Sequence, residues 1–475
     1  MNPSLALALF TAGIAGLFYL DRDKSARTSK AVWLPVIWLS EAGSRSLAAW
    51  LDIGVPRELP GQIPEASPLD QLFAGTLMLL GAIVLIRRRR LVMGLIKANW
   101  PIVLYFSFSL FSLLWSDFPL WGLKRWVRSL GDLIMVLIVA TDAQPTAALK
   151  RLLSRVGFVL LPASVLLIKY YPHLGMGFDV YGDQEFTGVT TNKNVLGNLG
   201  FVVALASLWQ ALSLVHNRKA RNRGRRLLAH GTLIAFAIPL LSTAHCATAI
   251  ACFALGVGLM LATSLPLFRY RPAAVNALIL AIALGGGLIL LLGGRAAITE
   301  ALGRKPDLTG RTEIWAIVIP MAPNPIGGAG FETFWIGPRV KEIYSKVGGL
   351  LPTNEAHNGY VETYLNLGWV GLCLIALILG HGYRRVLSVV RRDGALGALL
   401  ITYVVTAVAF NISEAGFRML GLEWFILLLS IVAASRVGGL GRCAGAVAAA
   451  GQCTVTVTPV GGLSAPPPES SWYTR

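Results

Sequence analysis

Apolar runs of about twenty residues recur along this chain and are separated by short polar or basic stretches. Runs of this length predict membrane-spanning helices, because a helix satisfies its own backbone hydrogen bonds inside lipid. A transmembrane β-barrel is excluded, since its strands would be about ten residues long and alternate in polarity. The segment Val32–Leu39 is either a short helix or an interfacial segment held by its tryptophans. We therefore predict an all-α fold, a polytopic transmembrane helical bundle of twelve or thirteen spans.

Basic residues mark one side of the predicted membrane. Arg87–Arg90 and Arg218–Arg226 are the plainest runs, and every strongly basic stretch falls on this side. The positive-inside rule makes the side cytoplasmic, so the longest loop, at about 295–356, faces outward. We predict a membrane domain over 1–437. Residues 438–475 form a disordered cytoplasmic tail in this prediction, because they are rich in Gly, Ala and Pro and nearly uncharged.

Composition supports a membrane protein and excludes other classes. Of the 475 residues, 55% are hydrophobic and 14% are charged, whereas about a quarter are charged in a typical soluble protein. The net charge of +18 does not indicate a nucleic-acid partner, because the basic residues lie in short runs between apolar segments. The five cysteines have no CxxC spacing, so neither a disulfide framework nor a zinc site is predicted. The first apolar run, Pro3–Leu20, is predicted to be a retained helix.

The stretch Glu355–Trp369 places ionisable groups where the longest loop meets an apolar helix. His357 can handle a proton near neutral pH, and Asn358 and Glu362 follow it at the predicted membrane boundary. Ionisable groups at membrane depth are costly, which favours a functional role. The simpler interpretation is a helix N-terminus, with Asn358 or a glutamate as an ordinary first-turn residue.

Three cations on the outward side break the positive-inside bias. Lys124, Arg125 and Arg128 precede a helix predicted at about 129–141, and on a helix they would share one face. Such a cluster suits a phosphate or diphosphate group. The alternative is that they extend to lipid headgroups beside belt tryptophans. Lys193 and Asn194, just before another span, form a second and weaker candidate.

Arg311 lies in the longest loop, where Asp307 or Thr309 could cap a helix that begins near it. An arginine at a helix N-terminus opposes the helix dipole, and this placement is understandable if an anion binds there. The glycine-rich run Gly327–Gly330 permits positive φ and a close backbone approach. We predict no metal site and no cofactor, because the outward histidines and carboxylates lack a ligand spacing such as HExxH.

These motifs together resemble the O-antigen ligase/polymerase family. The resemblance rests on Thr309-Gly-Arg311-x-x-x-Trp315, Pro325-Ile-Gly-Gly-Ala-Gly330-Phe, and His357-Asn358-x-Tyr360 followed by Gly368. Trp115-Ser-Asp117 and Lys124-Arg125-Trp126 look like its exopolysaccharide-polymerase branch. The shared core covers about 190–380. One departure is that Leu365-Asn366-Leu367 stands where the family usually has a carboxylate before its helix glycine.

The resemblance implies a multi-pass, metal-independent glycosyltransferase of the bacterial inner membrane with a periplasmic active face. Its donor would be an undecaprenyl-diphosphate-linked glycan, and its acceptor a second glycan or lipid A-core. Membrane lipids and polysaccharide export machinery would be its other partners.

Within this resemblance Arg311 and the Arg125 cluster bind the diphosphate, with Lys193 as a weaker candidate. His357 orients or deprotonates the acceptor hydroxyl, and Asn358 and Glu362 support it as part of the substrate site. The Lys-Arg-Trp stretch favours a polymerase over an O-antigen ligase. A transporter is the alternative from another class, although it would need polar groups or broken helices at mid-membrane.

Overall fold

The chain folds as a bundle of apolar helices. The computed structural model describes residues 2–23, 25–53, 67–178, 182, 184–265, 267–268, 271–291, 311–346, 355–419 and 421–450. The first helices are α1 (Pro3–Leu20), α2 (Trp33–Ala42), α3 (Leu47–Leu51), α4 (Pro68–Arg87), α5 (Arg89–Ala98), α6 (Trp100–Phe111), α7 (Pro119–Ala140), α8 (Pro145–Tyr170) and α9 (Pro172–Gly175). Short 3₁₀ turns cover Lys30–Val32 and Ser112–Trp115.

A small antiparallel hairpin, β1 (Met176–Phe178) and β2 (Gln184–Phe186), pairs Gly177 with Glu185 and precedes the second half of the bundle. The helices that follow are α10 (Lys193–His216), α11 (Arg223–Thr243), α12 (Ala247–Ser264), α13 (Pro272–Leu291), α14 (Arg311–Val318), α15 (Pro338–Lys346), α16 (Gly359–Arg392), α17 (Gly394–Phe410) and α18 (Leu422–Ala450). The predicted start of the tail at 438 falls inside α18, and 451–475 lie outside the described residues.

The predicted fold class, an all-α polytopic membrane bundle, is confirmed. Among the described residues, seven helices are long and apolar enough to cross a membrane, or eight if α5 and the α6 segment form one bent span. The total of twelve or thirteen spans stays a prediction. α10 is the central helix, since 78% of its most apolar stretch is buried inside the protein. In α1 only 11% of the corresponding stretch is buried, so this helix lies at the edge of the bundle.

Two segments differ from the predicted boundaries because apolarity alone was used to find them. α7 begins at Pro119, well before the predicted start near 129, since proline suits the first helical position and the basic residues after it are good helix formers. Lys124, Arg125 and Arg128 therefore lie on this helix. Of the segment Val32–Leu39, Val32 ends a 3₁₀ turn and the rest belongs to the ten-residue α2, whose Trp38 is buried and donates to Asp132 Oδ1 at 2.8 Å.

The described part of the longest loop packs onto the start of α16 through its own apolar cluster. α14 begins at Arg311, as predicted, whereas Asp307 and Thr309 lie outside the described residues. α15 was not predicted. The cluster contains Ile314, Val318, Ala329, Phe334, Ile343, Ala356 and Leu365. It holds the loop against the membrane end of the bundle.

Residues 325–330 insert into a break in α16 at Gly368, where the backbone has φ +62° and ψ −161°. Ala329 N donates to Leu365 O, and Gly330 N donates to Asn366 O, both at 3.0 Å. In the other direction Trp369 N donates to Pro325 O at 2.9 Å. Non-helical backbone at membrane depth is tolerated where protein satisfies its polar groups, as it does here. The glycine-rich run is thus a structural insert.

Candidate active site

Charged side chains from four parts of the chain meet at the α16 end of the bundle and alternate in sign. In spatial order they are Arg125, Glu332, Arg418, Glu355, His357, Glu414 and Arg311. We call this set the charged chain. Its members come from α7, from the loop that carries α14, from the residues before α16 and from the α17–α18 connection. Three arginines face three glutamates, so a protonated His357 leaves the set with one net positive charge.

Glu414 connects Arg311 to His357. It is 5% exposed, its Oε1 lies 3.1 Å from Arg311 Nη2, and its Oε2 lies 3.6 Å from His357 Nδ1. Arg311 also donates to Ser413 O. Asn194 Nδ2 donates to Glu414 Oε2 at 3.3 Å. Glu414 therefore gathers three of the predicted site residues around one carboxylate.

Arg418 connects the other half of the charged chain. Its Nη1 lies 3.3 Å from Glu355 Oε2, and its Nη2 lies 3.4 Å from Glu332 Oε2. Glu332 Oε2 is also 3.4 Å from Arg125 Nη2. The Arg125 guanidinium lies 5.6 Å from the centre of the Trp121 ring. Paired guanidinium groups of this kind keep their positive charge and suit phosphate oxygens.

His357 lies between two carboxylates, with Nδ1 3.0 Å from Glu355 Oε1 and the Glu414 carboxylate on its other side. Burial alone would lower the pKa of His357, but the hydrogen bonding and charges of these two glutamates outweigh it and raise the pKa to about 9. For Glu355, burial opposes ionisation, but His357 and Arg418 lower its pKa to about 2. His357 is thus an imidazolium at neutral pH.

Two members of the charged chain have strained backbones. His357 has φ +47° and Glu332 has φ +56°, a region that residues other than glycine seldom adopt. Such strain persists where the surroundings impose it, and it is common at functional sites.

The structure brings together four of the predicted site residues, namely His357, Arg311, Arg125 and Asn194. Glu362 is close by, is 3% exposed, and accepts a hydrogen bond from Ala356 N at 3.0 Å. Asn358 has the simpler role: its Oδ1 accepts from Tyr360 N and Val361 N as the N-cap of α16.

The remaining predicted cations do not lie together in the structure. Arg128 pairs with Glu41 at 2.9 Å, and Lys193 pairs with Glu185 of β2 at 2.7 Å. Lys124 is exposed. The cluster predicted from one helical face is thus divided among three environments.

Glu414 and Arg418 were not predicted as site residues. The prediction considered only cations and histidines next to long loops on the predicted outward side. The signal was present in the short stretch Asn411–Arg418, a polar turn between two apolar segments on the predicted outward side. Glu332 and Glu355 were likewise given no role in the prediction. Carboxylates that pair with outward arginines should therefore be sought in every outward turn.

Glu355, His357 and Glu414 could hold a metal ion, because their ligand atoms lie within 4.8 Å of one another. Two features of this site oppose metal binding. Each carboxylate is already paired with an arginine, and a metal would have to displace the His357 proton, whose pKa is about 9.

The raised pKa of His357 predicts a pH dependence of stability. Because the folded pKa of about 9 exceeds the ordinary histidine pKa of 6.5, the stabilisation is complete below about pH 6.5 and is lost as pH rises through about 9. We expect up to about 3 kcal/mol to be lost over this window. Thermal unfolding of the wild type and of His357→Gln between pH 6 and 10 tests this. Parallel curves for the two proteins would contradict it.

Comparison with known proteins supports the family resemblance that the sequence motifs predict. Residues 230–376 match the O-antigen ligase family model, a range that contains Arg311, His357 and Glu362. The predicted resemblance to this family is confirmed. Over 293 residues the chain is 26% identical to the exopolysaccharide production protein ExoQ of Rhizobium meliloti (strain 1021). That alignment covers 58% of this chain and 62% of the relative, so it spans less than two thirds of the relative's length.

The match to the O-antigen ligase family covers only part of the charged chain. Arg125 lies before the matched residues, and Glu414 and Arg418 lie after them. The site therefore uses helices on both sides of the region that defines the family.

Proposed function

We propose that this protein is a membrane glycosyltransferase that polymerises or transfers an undecaprenyl-diphosphate-linked glycan at the periplasmic face of the bacterial inner membrane. The observation that supports this most is the charged chain, in which Arg311, His357 and Glu414 meet at one membrane end of an O-antigen ligase-like bundle. Arginines suit a diphosphate leaving group, and the histidine with its carboxylates suits an acceptor hydroxyl.

In this proposal the acceptor hydroxyl oxygen forms a bond to the anomeric carbon of the donor. The bond from that carbon to the diphosphate breaks, and the diphosphate oxygen keeps the electron pair. Arg311 and Arg125 stabilise the developing negative charge, which is the electrostatic contribution that often dominates catalysis. Lys124, Arg128 and Lys193 remain proposed weaker contacts to the donor, although Arg128 and Lys193 are paired with Glu41 and Glu185. Asn194 and Asn358 shape the site in this proposal.

His357 has a positioning role in this proposal rather than that of a free base. Its pKa of about 9 keeps it protonated at neutral pH, where it can donate a hydrogen bond but cannot accept the hydroxyl proton. The hydroxyl proton then goes to the Glu414 carboxylate, whose Oε2 lies 3.6 Å from His357 Nδ1, because the pKa of about 2 makes Glu355 a poor base. Glu362, buried one helical turn beyond Asn358, supports the loop by accepting from Ala356 N.

An exopolysaccharide polymerase is favoured over a ligase. The similar protein of Rhizobium meliloti is named for exopolysaccharide production, and the Lys124-Arg125-Trp126 stretch agrees with that branch. A polymerase uses a second lipid-linked glycan as acceptor, whereas a ligase needs lipid A-core. Donor alone therefore suffices for product formation only with a polymerase.

Purified protein incubated with a lipid-linked oligosaccharide should extend the glycan, and addition of EDTA should leave the rate unchanged. Arg311→Gln should lower the rate about 100-fold or more, because one charge-stabilising donor is typically worth this much. Lys341→Gln, which removes an exposed cation of α15, is the matched control and should keep full activity.

Three other results would contradict the proposal of a metal-independent polymerase. Extension only after lipid A-core is added would indicate a ligase. Loss of activity with EDTA and recovery with a divalent cation would contradict the metal-independent proposal. Absence of product together with movement of the lipid-linked oligosaccharide across vesicles would indicate a transporter.

A further inference from the structure

A polar cavity lies between the end of α1 and the start of α8. Its volume is about 400 Å³, and Arg22, Arg151 and Arg155 line it together with Asp21 and Asp23. Phe18 and Phe158 form its apolar part. None of these residues belongs to the charged chain.

The cavity lies at the opposite end of the bundle from the charged chain. Asn194, which contacts Glu414, is at the start of α10, and this helix of 24 residues is about 36 Å long. α11 begins shortly after the far end of α10, and its Arg226 pairs with Asp21 at 3.3 Å. The cavity is thus on the side where the basic runs of the sequence cluster.

The two aspartates of this cavity share one arginine of a neighbouring helix. Arg226 contacts Asp21 at 3.3 Å and Asp23 at 3.1 Å, and the buried His230 lies 3.3 Å from Asp21. With Arg226 included, four arginines face two carboxylates, so the cavity keeps an excess of positive charge.

Two of the three arginines remain available to a ligand. Arg151 donates to Asp23 O and Ala26 O and thereby holds the α1–α2 connection. Arg155 lies 4.1 Å from the centre of the Trp33 ring and makes no side-chain hydrogen bond to the part of the chain that the structure describes. Arg22 is exposed and likewise has no such bond to those residues.

The apolar part of the cavity lies beside a helix whose apolar surface is largely exposed. The Phe18 and Phe158 rings are 5.5 Å apart in the cavity wall, and α1, which carries Phe18, has only 11% of its apolar stretch buried. A cavity with arginines at the end of spanning helices, next to the exposed apolar surface of α1, matches an amphiphile with an anionic head. We propose that this cavity binds the phosphate group of an anionic phospholipid.

Binding of phosphatidylglycerol to the purified, delipidated full chain tests this proposal. Affinity is measured in detergent and in phosphatidylcholine nanodiscs that contain phosphatidylglycerol. Arg22→Gln combined with Arg155→Gln should weaken binding at least about tenfold, because each arginine near an anionic headgroup is worth about fivefold. Arg89→Gln combined with Arg90→Gln removes the same charge from exposed positions of α5 and should change binding less than twofold.

The possible results separate the sources of the phosphate group. A thermal stabilisation by phosphatidylglycerol that is present in the control pair and absent in the cavity pair would support the proposal independently of affinity. Equal weakening in both pairs would show a general surface-charge effect and overturn it. Full competition by millimolar inorganic phosphate would also overturn it, because the cavity would then serve a soluble phosphate ligand.

Discussion

His357→Ala is expected to abolish glycan transfer, with a loss of at least about 100-fold, while the protein remains folded in the membrane. Removal of the imidazolium leaves Glu355 and Glu414 facing each other without the cation that lies 3.0 Å from the first and 3.6 Å from the second. The two carboxylates then repel each other, and the acceptor hydroxyl loses its hydrogen-bond donor. The measurement is chain extension of a lipid-linked oligosaccharide, analysed on a polysaccharide gel.

A second substitution at this position separates the two roles of a histidine. His357→Lys keeps a positive charge but supplies no neutral base near pH 7, so it should keep part of the activity if His357 positions the acceptor. If His357 is the base, the lysine and alanine variants should be equally inactive. His173→Ala, at an exposed outward position, is the control and should leave activity unchanged. Undiminished product from His357→Ala would remove His357 from the mechanism.

The long apolar helices were predictable because length and polarity alone determine them. The apolar runs predict helices at about 3–20, 69–86 and 195–215, and α1, α4 and α10 begin and end within a few residues of these bounds. α5 was missed because its basic and apolar residues alternate with helical period and never form an apolar run. The β1–β2 hairpin was missed for a similar reason, since two three-residue strands give little periodic signal.

The site was predictable only as far as topology determines it. Arg311 and His357 were found because both lie outward next to spans, and that reasoning needs no knowledge of contacts. The pairing of Arg125 with Glu332 could not be predicted, because it depends on how residues 325–330 enter the break in α16. Asn358 caps α16, which is the simpler interpretation that the sequence offered, and its part in substrate binding stays a prediction.

The same insertion accounts for the departure at 365–367. Asn366 occupies part of the segment where the family usually has a carboxylate. Its Oδ1 accepts from Phe334 N at 3.2 Å, and its Nδ2 donates to Glu362 O at 3.0 Å. A neutral amide suits this position because it must accept from one backbone group and donate to another, which an ionised carboxylate cannot do.

Gly328→Ala is expected to destabilise the protein by roughly 3–5 kcal/mol, from a left-handed backbone and from overpacking. Gly328 has φ +69°, and an added Cβ would lie 2.3 Å from the Asn366 backbone carbon. Gly368→Ala meets the same obstacle from the other side, since its Cβ would lie 2.2 Å from Ile326 O at φ +62°. Backbone atoms on both sides cannot move without separating the insert from α16.

The effect should reach the charged chain, because Glu332 follows the insert and pairs with both Arg125 and Arg418. We therefore expect Gly328→Ala to lower the midpoint of thermal unfolding in detergent and to lose glycan transfer even where protein is recovered. Gly231→Ala, on α11 with no atom within 4 Å of the added Cβ, is the matched control and should be neutral or slightly stabilising. A Gly328→Ala protein with the midpoint and activity of the control would mean that the insert does not hold the site together.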